Sequence, residues 1–63
     1  MEREIIFYFD KDKRISISTN KTNGEIADIL QNYNYFINID NEGIVSCINL
    51  KQVIFIEMKE KSE

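Results

Sequence analysis

The sequence predicts an α+β domain with the element order ββαβββ, in which one mostly antiparallel five-stranded sheet carries a single short helix on one face. Two observations predict this class. Five short segments are rich in β-branched and aromatic residues, and one segment between the second and the third has helical periodicity. Sixty-three residues suffice for a single domain, so residues 1–63 are taken as one unit, with a charged tail at 59–63 expected to fray.

The first two strands are predicted at 3–9 and 14–19, joined by a polar hairpin turn at 10–13. The second of these strands alternates polar and apolar residues with period two, which indicates one buried face. The first strand is apolar on both faces, and a strand of this kind usually lies in the middle of a sheet.

A capping box predicts where the helix begins. Thr22 and Glu25 stand three residues apart, so that each side chain can hydrogen-bond the backbone of the other, and apolar residues then recur at helical spacing. The sequence therefore predicts a helix at 23–32, which at 1.5 Å per residue is only about 15 Å long.

Three further strands are predicted at 35–40, 44–50 and 53–58. A tight loop at 41–43 separates the first two of them, and Gly43 supplies the positive φ that such loops need. The last strand, like the first, is apolar on both faces.

One short helix can cover only one face of a five-stranded sheet, so the second face is expected to stay apolar and uncovered. The side chains predicted to form this stripe are Ile6, Tyr8, Ile54, Ile56 and Met58. Burying each fully is worth roughly 1.5–3 kcal/mol. We therefore expect a homo-oligomer, most simply a dimer packed sheet against sheet, or another protein bound to the same stripe. The alternative is that the sheet closes into a barrel and encloses these residues within one chain.

The sequence offers no catalytic or metal-binding set, so we expect neither an enzyme nor a cofactor. There is one cysteine and no histidine, which excludes an internal disulfide and a closed zinc site. Cys47 has neutral neighbours along the chain and is expected to act as a small hydrophobic residue. The acidic residues at 10–12 do not continue into a calcium loop, because Lys21 stands where the twelfth-position glutamate is needed.

A small nucleic-acid- or nucleotide-binding module is the alternative function. It would use a basic patch at one end of the first hairpin, formed by Lys11, Lys13, Arg14 and Lys21. The net charge of −3 argues against nucleic acid as a partner, since proteins that bind it usually carry a basic surface.

The longest apolar run near the start has five residues, too few for a signal peptide or a membrane span, and one unpaired thiol suits a reducing cytoplasm. The strand order resembles that of the β-grasp (ubiquitin-like) fold, and a meander of the last three strands is the competing order. The segment 48–57, following the loop at 41–43, resembles small uncharacterised proteins of phages and mobile elements in AT-rich Gram-positive bacteria. This resemblance implies a binding or regulatory role, such as an accessory or inhibitory factor of a phage.

Overall fold

The computed structural model describes residues 2–60, and its elements follow the predicted order. The strands are β1 (Arg3–Asp10), β2 (Lys13–Thr19), β3 (Tyr35–Ile39), β4 (Val45–Asn49) and β5 (Phe55–Glu60). The helix α1 spans Asn23–Asn32, and a 3-10 turn at Leu50–Gln52 links β4 to β5. The α+β class and the bounds of the helix are therefore confirmed.

The strands form two sheets, so the prediction of one five-stranded sheet is wrong. A three-stranded sheet has the order β2-β1-β5, and β3 pairs with β4 in a separate hairpin; all pairings are antiparallel. The division falls between β2 and β3. The two strands approach each other through a side-chain hydrogen bond, from Asn38 Nδ2 to the Ser18 carbonyl (3.3 Å), and no backbone ladder joins them in the described part of the chain.

The course of the chain after β4 decides the topology. The 3-10 turn diverts the backbone away from the β3–β4 hairpin, and Ile54 then donates its N–H to the Tyr8 carbonyl (2.8 Å), which starts the pairing of β5 with β1. The competing order, a meander of the last three strands, is therefore wrong. The first and last strands are neighbours, as the β-grasp order requires, but the sheet stops at three strands. β1 is central as predicted, whereas β5 is an edge strand.

The capping box forms as predicted and fixes the start of α1. The Glu25 N–H donates to Thr22 Oγ1 (3.2 Å), and the Thr22 N–H donates to Glu25 Oε1 (2.9 Å). The helix ends where Tyr33 turns to extended backbone (φ −127°, ψ 157°) while its N–H still donates to the Ile29 carbonyl. Ile26 is the buried residue of this helix, and its side chain packs into the core, which sets the face that the helix turns inward.

The core lies between one face of the three-stranded sheet, the helix and the inner face of the β3–β4 hairpin. Its buried side chains are Ile5, Phe7, Ile17, Ile26, Phe36 and Ile48. The rings of Phe7 and Phe36 meet with centroids 5.5 Å apart at 55°, an edge-tilted geometry typical of stable aromatic pairs. The hairpin thus turns Phe36 and Ile48 inward, with Asn38 and Ser46 on the same face, and alternation turns the side chains of the intervening residues away from the core.

Two details at the ends of the strands bear on the predictions. Gly43 has a φ of 82°, which confirms the predicted loop, and the Asp40 carboxylate accepts from the N–H groups of Glu42 (2.8 Å) and Ile44 (3.0 Å).

The predicted frayed tail is wrong for Lys59 and Glu60, which belong to β5 and pair with β1. Residues 61–63 lie outside the described residues.

Candidate functional site

The register between β1 and β5 separates the five residues predicted to form one apolar stripe. Ile6 lies opposite Glu57, while Phe7 lies opposite Ile56 and Ile5 opposite Met58. Cross-strand partners share a face of the sheet. Ile56 and Met58 are therefore on the core face with Ile5 and Phe7, and the other face carries Ile6 and Tyr8. The predicted single stripe is wrong, because the register differs by one residue from the one that it requires.

The outer face of the three-stranded sheet is largely closed by its own side chains. Tyr8 donates its hydroxyl proton to the Glu57 carboxylate, and Ser16 donates to the Glu4 carboxylate. These longer side chains surround Ile6, which is only 8% exposed. This face is consequently polar and internally hydrogen-bonded around Ile6, and its exposed apolar surface is concentrated at Phe55, on the edge strand β5.

The hydrogen bond to Glu57 is the main cause of a raised pKa at Tyr8, with partial burial adding to it and the Arg14 guanidinium opposing it. The two rings on this face, Tyr8 and Phe55, have centroids 5.5 Å apart. Tyr8 therefore acts as a protonated donor that ties β1 to β5.

The remaining predicted stripe residues are Ile56 and Met58, on the core face of β5, and Ile54, just before that strand. Ile56 is half-buried and packs against the core cluster. Met58 is exposed on the same face, and Ile54, which precedes β5, is 70% exposed. A shallow apolar groove of about 370 Å³ runs from Leu30 at the end of α1 to Phe55.

A different apolar surface stands out on the β3–β4 hairpin. The side chains that point away from the core form what we call the hairpin outer face: Tyr35, Ile37, Ile39, Val45 and Cys47. Ile37 lies opposite Cys47 and Ile39 opposite Val45, so the face is continuous across both strands. Its members other than the exposed Cys47 have 52–66% of their surface open to solvent. No part of residues 2–60 covers them.

The two strands that carry this face contain no charged residue. Its strands read YFINI and VSCIN, and none of the eight basic and eleven acidic residues of the chain lies in either. The nearest acidic groups along the chain are Asp40 and Glu42, in the loop at one end. An uncharged two-stranded surface of this kind is easily desolvated, which is what a protein–protein contact requires.

This surface is hard to predict from the sequence because the structure turns the less apolar side of β3, with Phe36 and Asn38, to the core. Phe36 points inward and Tyr35, Ile37 and Ile39 point outward, and the pattern alone does not say which set is covered. The signal that could have found the surface is the absence of charge from 35–39 and 45–49, because a solvent-facing strand usually carries charged side chains.

The basic residues of the alternative function do not form one patch. Lys11, Lys13 and Arg14 lie at the β1–β2 turn, whereas Lys21 follows the far end of β2, roughly 20 Å away at about 3.3 Å per residue. At that far end the Lys21 carbonyl accepts a hydrogen bond from Arg3 Nη1 (3.1 Å). The prediction that all four cluster at one end of the hairpin is therefore wrong.

A polar groove of about 430 Å³ opens where the two sheets separate. It is lined by the end of β2 and the following residues up to Lys21, by Glu25, and by Ile37 to Asn41 along β3. In the described chain, no group of three or more histidine, cysteine, aspartate or glutamate side chains is placed to hold a metal ion. Nor does any helix there combine the length and the apolar character needed to cross a membrane.

Comparison of the chain with protein-family models, with curated proteins and with solved structures finds no match. The hairpin outer face is therefore the feature of the molecule that points most directly to a function.

Proposed function

We propose that this protein is a non-enzymatic interaction protein that associates with copies of itself through the hairpin outer face. The observation that carries the proposal is the coincidence of two properties on one hairpin: its outer side chains are more than half exposed, and its strands hold no charge. Chains this small commonly add a partner subunit because their own core contributes little stability.

The energetics favour covering this face. Fully burying an aliphatic or aromatic side chain is worth roughly 1.5–3 kcal/mol, so completing the burial of half-exposed ones yields about 1–2 kcal/mol each. Four such side chains supply several kcal/mol per chain, which is comparable to the ~3–5 kcal/mol that a core of this size provides. Association would thus add substantially to the stability of the fold.

The distribution of charge also supports the hairpin outer face as the contact between copies. The chain carries a net charge of −3, so two copies repel each other at most of their surface. The hairpin outer face is the place where two copies can meet without bringing like charges together. In the cytoplasm this assembly would present its remaining surface to another protein. That role agrees with the accessory or inhibitory function that the resemblance to phage proteins implies.

The test compares two isoleucines of similar exposure. Ile39 (66% exposed) lies on the hairpin outer face, and Ile54 (70% exposed) lies outside it. Ile39→Lys places a charge in the proposed contact, so we expect it to raise the dissociation constant by at least about 100-fold, or 2.7 kcal/mol, measured by light scattering over a concentration series.

Ile54→Lys is the matched control, because it adds the same charge to an equally open site that the proposal does not use. It should leave the dissociation constant within about threefold of the original. If Ile54→Lys dissociates the assembly and Ile39→Lys does not, the contact lies on the other surface and the proposal is wrong. Circular dichroism of both variants establishes that they are folded.

A further inference from the structure

The outer edge of β4 carries backbone groups that have no partner among residues 2–60. Leu50 donates to the Asn34 carbonyl (2.9 Å) and Asp40 to the Ile44 carbonyl (3.1 Å). Because hydrogen-bonded and non-hydrogen-bonded pairs alternate along an antiparallel ladder, the backbone groups of Ser46 and Ile48 also face β3. Those of Val45, Cys47 and Asn49 point the opposite way, and nothing in the described chain bonds to them.

The other strand edges are protected in ways that β4 is not. β2 begins with Lys13 and Arg14, and β5 ends in a charged run, Glu57–Met58–Lys59–Glu60. The free edge of β3 lies beside β2, where Asn38 bridges to the Ser18 carbonyl. Charges on an edge strand discourage the addition of another strand, whereas β4 has no charge, no proline and no bulge.

We propose that a second copy of the chain adds to this edge, so that two β4 strands pair antiparallel across a two-fold axis at Cys47. This arrangement rests on the proposed self-association and specifies its geometry. The outward groups at positions 45, 47 and 49 are symmetric about Cys47, so Cys47 lies opposite its own copy and Val45 opposite Asn49 of the other chain. About six main-chain hydrogen bonds result, and the two hairpins form one four-stranded sheet.

The self-complementary pattern is the reason for naming a second copy as the occupant. Both partners offer the same donors and acceptors at the same spacing, and neither strand brings a charge to the axis. An isologous contact of this kind closes on itself without forming a fibre.

The extent of the hairpin outer face supports a second contact besides face packing. The hairpin outer face has five side chains, whereas a standard interface uses about 20–30 residues and about 800 Å² on each partner. Edge pairing joins two hairpin outer faces into one surface with twice as many side chains. Two such sheets then pack face to face, which gives an assembly of four chains with two kinds of contact.

Proline at position 49 tests the edge contact selectively. Asn49 has a φ of −79°, within the range that proline adopts, and its N–H points to the free edge. Asn49→Pro therefore removes an outward donor and leaves the β3–β4 ladder intact. The Asn49 side chain accepts from the Lys51 N–H (3.0 Å), and Asn49→Ala is the matched control because it loses this bond and keeps the backbone N–H.

Sedimentation velocity of four variants separates the two contacts. We expect four chains per particle for the wild type and Asn49→Ala, two for Asn49→Pro and for Ile39→Lys, and one for the combined Asn49→Pro, Ile39→Lys variant. If Asn49→Pro and Asn49→Ala form particles of the same mass, the edge pairing is overturned and the face contact still stands. A monomeric Ile39→Lys single variant has the same consequence. A wild type that is monomeric would overturn both.

Amide hydrogen exchange gives a readout that needs no proline. In the Ile39→Lys variant at concentrations where it is dimeric, the amides of Val45 and Cys47 should exchange at least about 10-fold more slowly than in the dilute monomer. Equal rates at both concentrations contradict pairing at this edge.

Discussion

Ile6 and Ile39 both lie on outer faces of their sheets, and their cross-strand neighbours differ in how much of them they cover. Ile6 is 8% exposed although it lies on the outer face of its sheet, because Tyr8, Glu57 and their hydrogen bond lie beside it. Ile39 is 66% exposed because its neighbour across the hairpin is the short Val45. The same residue type is thus closed off on one sheet and open on the other, and the open one belongs to the proposed contact.

Glu25 illustrates how one carboxylate fixes the start of the helix. The hydrogen bond that it accepts from the Thr22 backbone lowers the pKa of Glu25 below its usual 4.5. A carboxyl group whose pKa is lower in the folded state than in the unfolded state stabilises the fold above the unfolded value. This contribution is lost as the pH falls through the folded value.

The corresponding prediction concerns acid unfolding. Glu25→Gln keeps the hydrogen bond of the capping box and removes the titration, so the wild type should lose more stability than the variant when the pH is lowered from 6 to about 3. Urea unfolding at each pH, followed by circular dichroism, measures the difference. If the two proteins lose stability in parallel, the capping carboxylate does not contribute as described.

At the scale of elements, the two glycines have opposite roles. Gly43 has a φ of 82°, which disfavours any residue with a side chain, whereas Gly24 lies in the first turn of α1, where an added Cβ would meet only Thr22 Oγ1 at an ordinary 3.9 Å. Gly24 therefore costs the helix conformational entropy without a steric need for it.

We accordingly expect Gly24→Ala to raise the free energy of unfolding by about 0.5–1 kcal/mol and Gly43→Ala to lower it by about 1–2 kcal/mol. Thermal unfolding of the two variants, run beside the wild type at one protein concentration, compares them. A destabilised Gly24→Ala would show that the first turn of α1 is constrained by something other than the capping box.

Local signals in the sequence were enough to predict most elements. They were not enough to predict which strands pair when those strands are far apart along the chain. The helix followed from Thr22 and Glu25, and the loop followed from Gly43, because both depend on residues within a few positions of each other. The pairing of β5 with β1 depends on the 3-10 turn at Leu50–Gln52, where no glycine or proline marks the change of direction.

The same limitation explains the error in the predicted stripe. Ile6 was grouped with Ile56, but the register pairs Ile6 with Glu57. In a strand that is apolar on both faces, a shift of one residue exchanges the faces without changing the hydrophobic pattern. The hairpin outer face was therefore hidden by the same ambiguity that produced the wrong stripe.

At the scale of the whole molecule, charge and hydrophobic surface are segregated. Among residues 2–60 the charged side chains lie on β1, β2, α1, β5 and the connecting segments, including Asp40 and Glu42 in the β3–β4 loop, and strands β3 and β4 themselves carry none. Association through an uncharged surface has a distinctive salt dependence. Added salt screens the repulsion between two chains of net charge −3 and leaves the apolar contact in place, whereas it weakens binding to nucleic acid.

Sedimentation equilibrium of the wild-type chain at low and high sodium chloride tests the central claim most directly. If the chains associate through the hairpin outer face, the weight-average mass rises with concentration above the 7.5 kDa of one chain and does not fall when salt is added. A mass that stays at 7.5 kDa from micromolar concentrations upward, at both salt concentrations, would contradict it.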